Sequence, residues 1–210
     1  MRILIAGSHG GVGKRATDLL SGSDHEVRAM VRDEKQVPEM ESYGVETVVA
    51  DLRSDDDVER AVRDCDGILF AAGSSGEDVE GVDRDGAIRT IDAAETFGAS
   101  RYVMLSAMNA DEPESSPDAL GDYLEAKAAA DEYLRESDLE HSVVRPGALT
   151  DEEGTGRIAA REKLDERGEI TRDDVAETLV TAFEADNTVG RTFEILAGDD
   201  PIETALENLD

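Results

Sequence analysis

The sequence predicts an α/β protein, a doubly wound parallel sheet with a small C-terminal elaboration. Three observations carry this expectation. Short apolar runs such as Ile3–Ala6, Val45–Ala50 and Ile68–Ala72 recur along the whole chain and suit strands covered on both faces. Helix-length segments alternate with them through short connections, the pattern of a parallel sheet packed between helices. A glycine-rich turn, Gly7 to Gly13, links the first strand to the first helix.

The elements follow in order. Arg2–Ala6 reads as a buried strand and Val12–Ser21 as the helix after it. Glu26–Val31 is the next strand, followed by a short helix near Glu34–Tyr43 and the strand Glu46–Ala50. A helix opens in the acidic run Asp55–Asp57, which suits the positive end of its dipole. Gly67–Ala71 is a strand, Asp83–Phe97 a helix, and Arg101–Ser106 a strand. Leu120–Glu136 is a long helix, and His141–Arg145 a strand stopped by Pro146-Gly147. Asp173–Ala185 reads as a helix and Thr192–Leu196 as a last strand. Ala107–Ala119 and Pro146–Gly156 are loop-like, and the regions 107–119 and 146–170 are expected on the substrate side. No repeat or linker divides the chain, so 1–210 is read as one domain.

Charge narrows the partners. Asp and Glu number 51 against 17 Arg and 4 Lys, a formal net charge of −30. Nucleic acid and anionic membrane both need a basic footprint, so neither is an expected partner. Disorder, the other reading of extreme acidity, fails against the recurrent apolar runs. Adaptation to molar salt fits better, because the Debye length falls to roughly 3 Å at 1 M and neighbouring carboxylates are screened. An ordinary acidic cytosolic protein is the alternative, and the scarcity of lysine counts against it. Cys65 is the single cysteine and permits no internal disulfide, which points to a reducing, cytoplasmic setting. Beside an apolar strand it reads as a small buried hydrophobe. No apolar run approaches the ~20 residues of a membrane span. The three histidines, His9, His25 and His141, have no metal-ligand spacing, so no metal is expected.

"IAGSHGGVGKRA", Ile5 to Ala16, admits two nucleotides. A phosphate-binding P-loop needs G-x-x-x-x-G-K-[ST], whose hydroxyl holds the Mg²⁺. Here Ser8 stands at the first glycine and Arg15 follows Lys14, so the hydroxyl is missing. The Rossmann reading loses nothing. Gly7 permits the tight turn, Gly10 lets the backbone approach a pyrophosphate, and Gly13 lets helix and strand pack closely. The loop Gly7, Ser8, His9, Gly10, Gly11, Val12, Gly13 is therefore the expected cradle of NAD(P). About 20 residues on, where an acid would grip an NAD ribose, stands Arg32. Its guanidinium suits the 2′-phosphate of NADP, so NADP is favoured over NAD. Asp33 beside it could instead accept from a free 2′-hydroxyl.

With these residues in place, the chain resembles the short-chain dehydrogenase/reductase superfamily in its atypical branch, which shares the G-x-x-G-x-x-G spacing of epimerase-like members. Further segments carry the resemblance in family order: "VVADLRS", "LFAAG", "VDRDGAIRTIDAA", "RYVMLSA", "YLEAKAAADEYLRESDLEHSVVRPGALT" and "ITRDDVAETLVTAF". Small NAD(P)-binding proteins of epimerase, NmrA-like or flavin-reductase-like type are the nearest in kind. The resemblance implies that Asp51 and Leu52 lie by adenine and that Ala71, Ala72 and Gly73 pack against the cofactor. It also implies a catalytic pair in Y-x-x-x-K, found as Tyr123 and Lys127. Residues i and i+4 share a helix face. The phenol can then face substrate while the ammonium holds the nicotinamide ribose and makes a group of pKa near 10 usable. A surface helix pair is the bland alternative.

The rest of the family's tetrad departs from pattern. Asp83 stands where an Asn is usual, and it could equally cap the helix expected there. Ser106 is followed by Ala107 and Met108, so it is either the catalytic hydroxyl or a residue that only ends the strand. Arg145-Pro146-Gly147 could bring the backbone at Pro146 to nicotinamide or simply terminate a strand. Two functions therefore stand together. One is an NADP(H)-dependent oxidoreductase or epimerase acting on a small carbonyl, flavin-like or sugar-like molecule. The other is a non-catalytic NADP(H)-binding redox sensor.

Overall fold

The computed structural model describes residues 1–74, 76–115 and 120–209. Strands β1 (Arg2–Ala6), β2 (Glu26–Val31), β3 (Glu46–Val49), β4 (Gly67–Phe70), β5 (Arg101–Leu105) and β6 (Glu140–Pro146) run parallel in one sheet. After them come β7 (Ala148–Thr150), β8 (Arg157–Arg161), β9 (Glu169–Thr171), β10 (Arg191–Ala197) and β11 (Asp200–Pro201). β10 joins β6 in parallel, β8 and β11 extend that edge antiparallel, and β7 pairs with β9 in a separate ribbon. The order across the main sheet is β11-β8-β10-β6-β5-β4-β1-β2-β3. The chain builds outward from β1 to β3, then crosses back to β4 and builds the other way. Such a reversal opens a crevice at the carboxyl ends of the two central strands, here β1 and β4, where nucleotides bind in folds of this kind.

Among the described residues seven α-helices cover the sheet: α1 (Gly11–Ser21), α2 (Val37–Glu41), α3 (Asp55–Val62), α4 (Asp85–Phe97), α5 (Gly121–Glu136), α6 (Arg172–Glu184) and α7 (Ile202–Glu207). Successive strand residues point to opposite faces. Ile3 and Ile5 of β1 therefore pack with Val103, Val144 and Phe193 under α1, α6 and α7. Leu4 and Ala6 pack with Ile68, Phe70, Tyr102 and Met104 under α3, α4 and α5. Each such side chain, fully removed from water, contributes about 1.5–3 kcal/mol. α3 opens as its sequence suggests, with Ser54 accepting from the Asp57 N–H and Asp55, Asp56 and Asp57 in the first turn. Cys65 is buried in the second of these cores, and burial pushes its thiol pKa up.

β5 begins with a buried charge that locks the base of the sheet. Arg101 donates to the carbonyls of Glu140, Ala182 and Phe183 and to the hydroxyls of Ser142 and Thr188. It ties β5, β6, α6 and the turn before β10 together.

The structure departs from the sequence reading at several boundaries. The helix expected at Asp83–Phe97 is a π-helical turn, Val79–Arg84, running into α4. Asp78 caps that turn, so Asp83 is not a helix cap but a buried residue inside it. The helix expected near 34–43 is a 3₁₀ turn, Glu34–Gln36, followed by the short α2. Pro146 does not stop β6 but is its last residue, opposite Ile195 of β10, with its carbonyl accepting from the Met108 N–H. The expected loop at 146–156 contains β7, and β8, β9, β11 and α7 were not anticipated. β7, β9 and β11 are two or three residues long, too short for an alternation pattern to register, and β8 carries a single large apolar side chain, Ile158. Of the expected loop 107–119, residues 116–119 lie outside the described residues. No helix of the described residues is long and apolar enough to cross a membrane.

Candidate functional site

A cleft of about 370 Å³ opens at the carboxyl ends of β1, β2, β3 and β4. Its walls include Gly7, His9, Gly10, Arg32, Asp51, Leu52, Ala71, Ala72 and Gly73 among the residues singled out from sequence. Met30, Val31, Gln36, Ala50, Ser74, Glu77 and Val82 complete it.

The glycine loop has the shape of a phosphate cradle. Gly7 has φ +84°, and a Cβ placed on it would lie 2.5 Å from the Ala72 Cα. A Cβ on Gly13 would lie 2.1 Å from the Gly7 carbonyl oxygen. Glycine at both positions brings α1, β1 and β4 into backbone contact. Ser8 and Val12 are buried beneath the loop, Ser8 donating to the Met30 carbonyl at 2.8 Å. Gly10 is the N-cap of α1, with no side-chain cap and no acidic residue in the first turn. α3 and α6 open differently, each with a capping side chain and acids. In a chain carrying 51 carboxylates, an N-terminus left bare of them suits an anionic ligand. The residues present therefore fit a dinucleotide's pyrophosphate. Lys14 points elsewhere, 2.6 Å from Glu39, and Arg15 bonds Asp173 and the Gly11 carbonyl.

Arg32 follows β2 on the cleft wall and is exposed. The Asp33 carboxylate caps the 3₁₀ turn, its Oδ1 accepting from the Lys35 N–H at 2.9 Å. The Asp51 carboxylate accepts from the Arg53 guanidinium and backbone, and these bonds hold its pKa below the usual carboxylate range.

Behind the cleft wall at Ser74, Asp83 leads to α5. Asp83 Oδ2 accepts from the Ser74 N–H at 3.0 Å and the Ser74 hydroxyl at 2.6 Å, so it grips the cleft wall. Its Oδ1 lies 3.6 Å from the Lys127 ammonium. That oxygen is buried and has no hydrogen-bond partner among the described residues. Lys127 is buried, donates to the Leu105 carbonyl at 3.2 Å, and its Nζ sits 5.7 Å from the centre of the Tyr123 ring. Tyr123 and Lys127 thus share one face of α5, and Asp83 joins them to the cleft. Ser106 is buried just past β5, and its hydroxyl donates to Asp131 at 2.8 Å. Asp131 also accepts from Arg145 at 2.9 Å, and burial pushes its carboxyl pKa up against the pull of that guanidinium. Pro146 is buried in β6 with its carbonyl bonded to the Met108 N–H, away from the cleft walls described here. Gly11 is exposed at the start of α1, against the Arg172 side chain.

Three neighbours were not singled out from sequence. Ser74 follows "LFAAG" directly, and Gln36 stands three residues after Asp33 in a D-x-x-Q capping box that sequence could have shown. Asp131 lies one turn beyond Lys127, but in so acidic a chain no signal separates it from its surface counterparts.

Fold and site together define a Rossmann dinucleotide-binding protein with a short-chain dehydrogenase/reductase arrangement on α5. Residues 7–186 match the family described as NAD(P)H-binding. The chain belongs to that family, within its atypical, NAD-dependent epimerase-like branch. It is 40% identical to an uncharacterized sugar epimerase of Bacillus subtilis, YhfK, over 100% of both chains. Among solved structures it is similar to a candidate NAD-dependent epimerase/dehydratase of Bacillus halodurans (38% identity, TM-score 0.95, 100% of both chains). It is also similar to the oxidoreductase YlbE of Lactococcus lactis (33% identity, TM-score 0.90, 99% of this chain and 95% of that one).

Proposed function

We propose that the chain is an NADP(H)-dependent oxidoreductase or epimerase-like enzyme acting on a small carbonyl, flavin-like or sugar-like substrate. The observation that carries this reading is a cleft shared by the bare N-terminus of α1 and Ser74, with Ser74 bonded to Asp83. Asp83 in turn faces Lys127, whose ammonium lies over the Tyr123 ring. In this reading the glycine loop and the α1 N–H groups hold the pyrophosphate. Arg32 holds the 2′-phosphate, and Lys127 holds the nicotinamide ribose. Bound NADPH supplies a hydride and its two electrons. Tyr123 gives a proton to the oxygen of the carbonyl being reduced, or takes one back in the reverse direction. Asp83 holds the ammonium and the cleft wall in register.

One observation favours the second reading, a non-catalytic NADP(H)-binding sensor: the Ser106 hydroxyl is buried and committed to Asp131. Titrating NADPH and NADH into the protein in molar KCl, followed by nicotinamide fluorescence, tests the cofactor. Arg32→Ala should weaken NADPH at least tenfold, as loss of a charge-assisted hydrogen bond requires, and leave NADH nearly unchanged. Equal loss for both would refute the role given to Arg32. Tyr123→Phe then separates the two functions. An enzyme loses turnover and keeps cofactor binding, whereas a sensor has no turnover in the wild type across a carbonyl and flavin panel.

A further inference from the structure

The glycine loop and the Arg32 turn are connected by one side chain whose chemistry leaves a single consistent arrangement. Gln36 Oε1 lies 3.1 Å from the Arg32 N–H and 3.1 Å from the Asp33 N–H. Both partners are donors, so this end of the amide must be oxygen. The other end is then the NH₂ group, 3.1 Å from His9 Nδ1. An amide NH₂ only donates, so Nδ1 must carry a lone pair and the ring proton must sit on Nε2. Nε2 is 2.8 Å from Glu39 Oε2, a carboxylate that only accepts. The same carboxylate takes the Lys14 ammonium, which with His9 holds the Glu39 pKa below its ordinary value. Every donor in the chain meets an acceptor only when His9 is neutral.

We propose that Gln36 is a positioning residue for the cofactor, bracing the glycine loop to the Arg32 turn through a neutral, Nε2-protonated His9. His9, Gln36 and Arg32 line the same cleft, so the brace fixes the distance between the pyrophosphate cradle and the 2′-phosphate end. The proposal rests on the cofactor reading given above. An ordinary capping box would use only Gln36 Oε1, and a glutamate would serve it equally well. The brace needs the NH₂ group. Charged groups around the ring come from α1 (Lys14), the end of β2 (Arg32, Asp33) and α2 (Glu39), with Asp51 and Glu77 on the cleft walls.

The test compares NADPH and NADH affinities of the full chain and its Gln36→Ala and Gln36→Glu variants between pH 6 and 8.5. ¹⁵N NMR of the His9 ring and melting temperatures accompany it. Gln36→Ala should weaken both nucleotides roughly tenfold at every pH, the effect of one such hydrogen bond. Gln36→Glu keeps the cap and hence the melting temperature. At pH 8.5 its second oxygen faces the Nδ1 lone pair, and both nucleotides should bind roughly tenfold more weakly than to the wild type. Loss confined to NADPH would mean mere repulsion of the 2′-phosphate and would overturn the brace. So would an unaffected Gln36→Ala variant, or an Nδ1-protonated ring in the wild type. If the wild type binds neither nucleotide, the cofactor reading fails, and with it the role given to Gln36. The ring tautomer then decides whether the brace itself exists.

Discussion

Gly13→Ala should separate cofactor binding from stability. A Cβ at this position would lie 2.1 Å from the Gly7 carbonyl oxygen, and ordinary contact begins at 3.4 Å. The obstacle is backbone, so no side chain can swing aside, and α1 must part from the Gly7 turn by about 1 Å. The Gly10 N–H bond to the Gly7 carbonyl, 2.9 Å in the native loop, is strained by the same movement. Overpacking of this kind costs about 1–3 kcal/mol. Alanine recovers up to about 1 kcal/mol of that in a helix. The net loss is therefore about 0–2 kcal/mol, a fall in melting temperature of roughly 0–8 °C for a chain of this size. Cofactor binding should suffer more. Hydrogen bonds from the cradle to a charged pyrophosphate are worth about 1.5–3 kcal/mol each, and displacing the loop by 1 Å forfeits at least one, a tenfold to hundredfold loss. The assay is NADPH fluorescence titration in molar KCl beside a thermal melt. Gly121→Ala is the control, because nothing among the described residues lies within 4 Å of its added Cβ in the first turn of α5. It should bind NADPH like the wild type. A Gly13→Ala protein that binds NADPH within twofold of the wild type would refute the close-contact argument.

Arg101→Met should lower stability without touching the cleft. The Ala182 carbonyl keeps the Thr188 hydroxyl, but at about 1–3 kcal/mol each for the Phe183 and Glu140 carbonyls the loss is about 3 kcal/mol, roughly 6–12 °C by calorimetry. An unchanged melting temperature would show that the guanidinium is replaceable by packing alone. Cys65 should resist a thiol-specific disulfide reagent at pH 8 in the native protein and react fully in denaturant. Burial raises its pKa, so the native thiol keeps its proton there; stability from this group is full below the ordinary thiol value and is lost as pH climbs from there through the raised one. Fast native labelling would place the thiol at the surface. The formal charge of −30 predicts that melting temperature rises steeply between 0.1 M and 2 M KCl, as the Debye length shrinks from about 10 Å to below 3 Å. A flat salt profile would remove the reading of the acidity as salt adaptation.

Much of this protein was legible before any coordinates. The parallel core of the fold followed from apolar runs buried on both faces, because such runs have no other stable setting in water. The glycine turn was legible from its spacing after the first strand, and the fold puts Arg32 on the same cleft wall. Both kinds of signal are local or periodic, and a chain carries them in one dimension. Tertiary structure decided the rest. Only the fold showed Asp83 inside a π-helical turn, gripping Ser74 and facing Lys127. Only the fold separated Asp131, buried against Ser106 and Arg145, from dozens of surface carboxylates of the same chemistry. Burial is set by what packs over a residue from distant parts of the chain. In a protein where nearly every exposed position tolerates an acid, composition conceals which few acids are buried and have a partner.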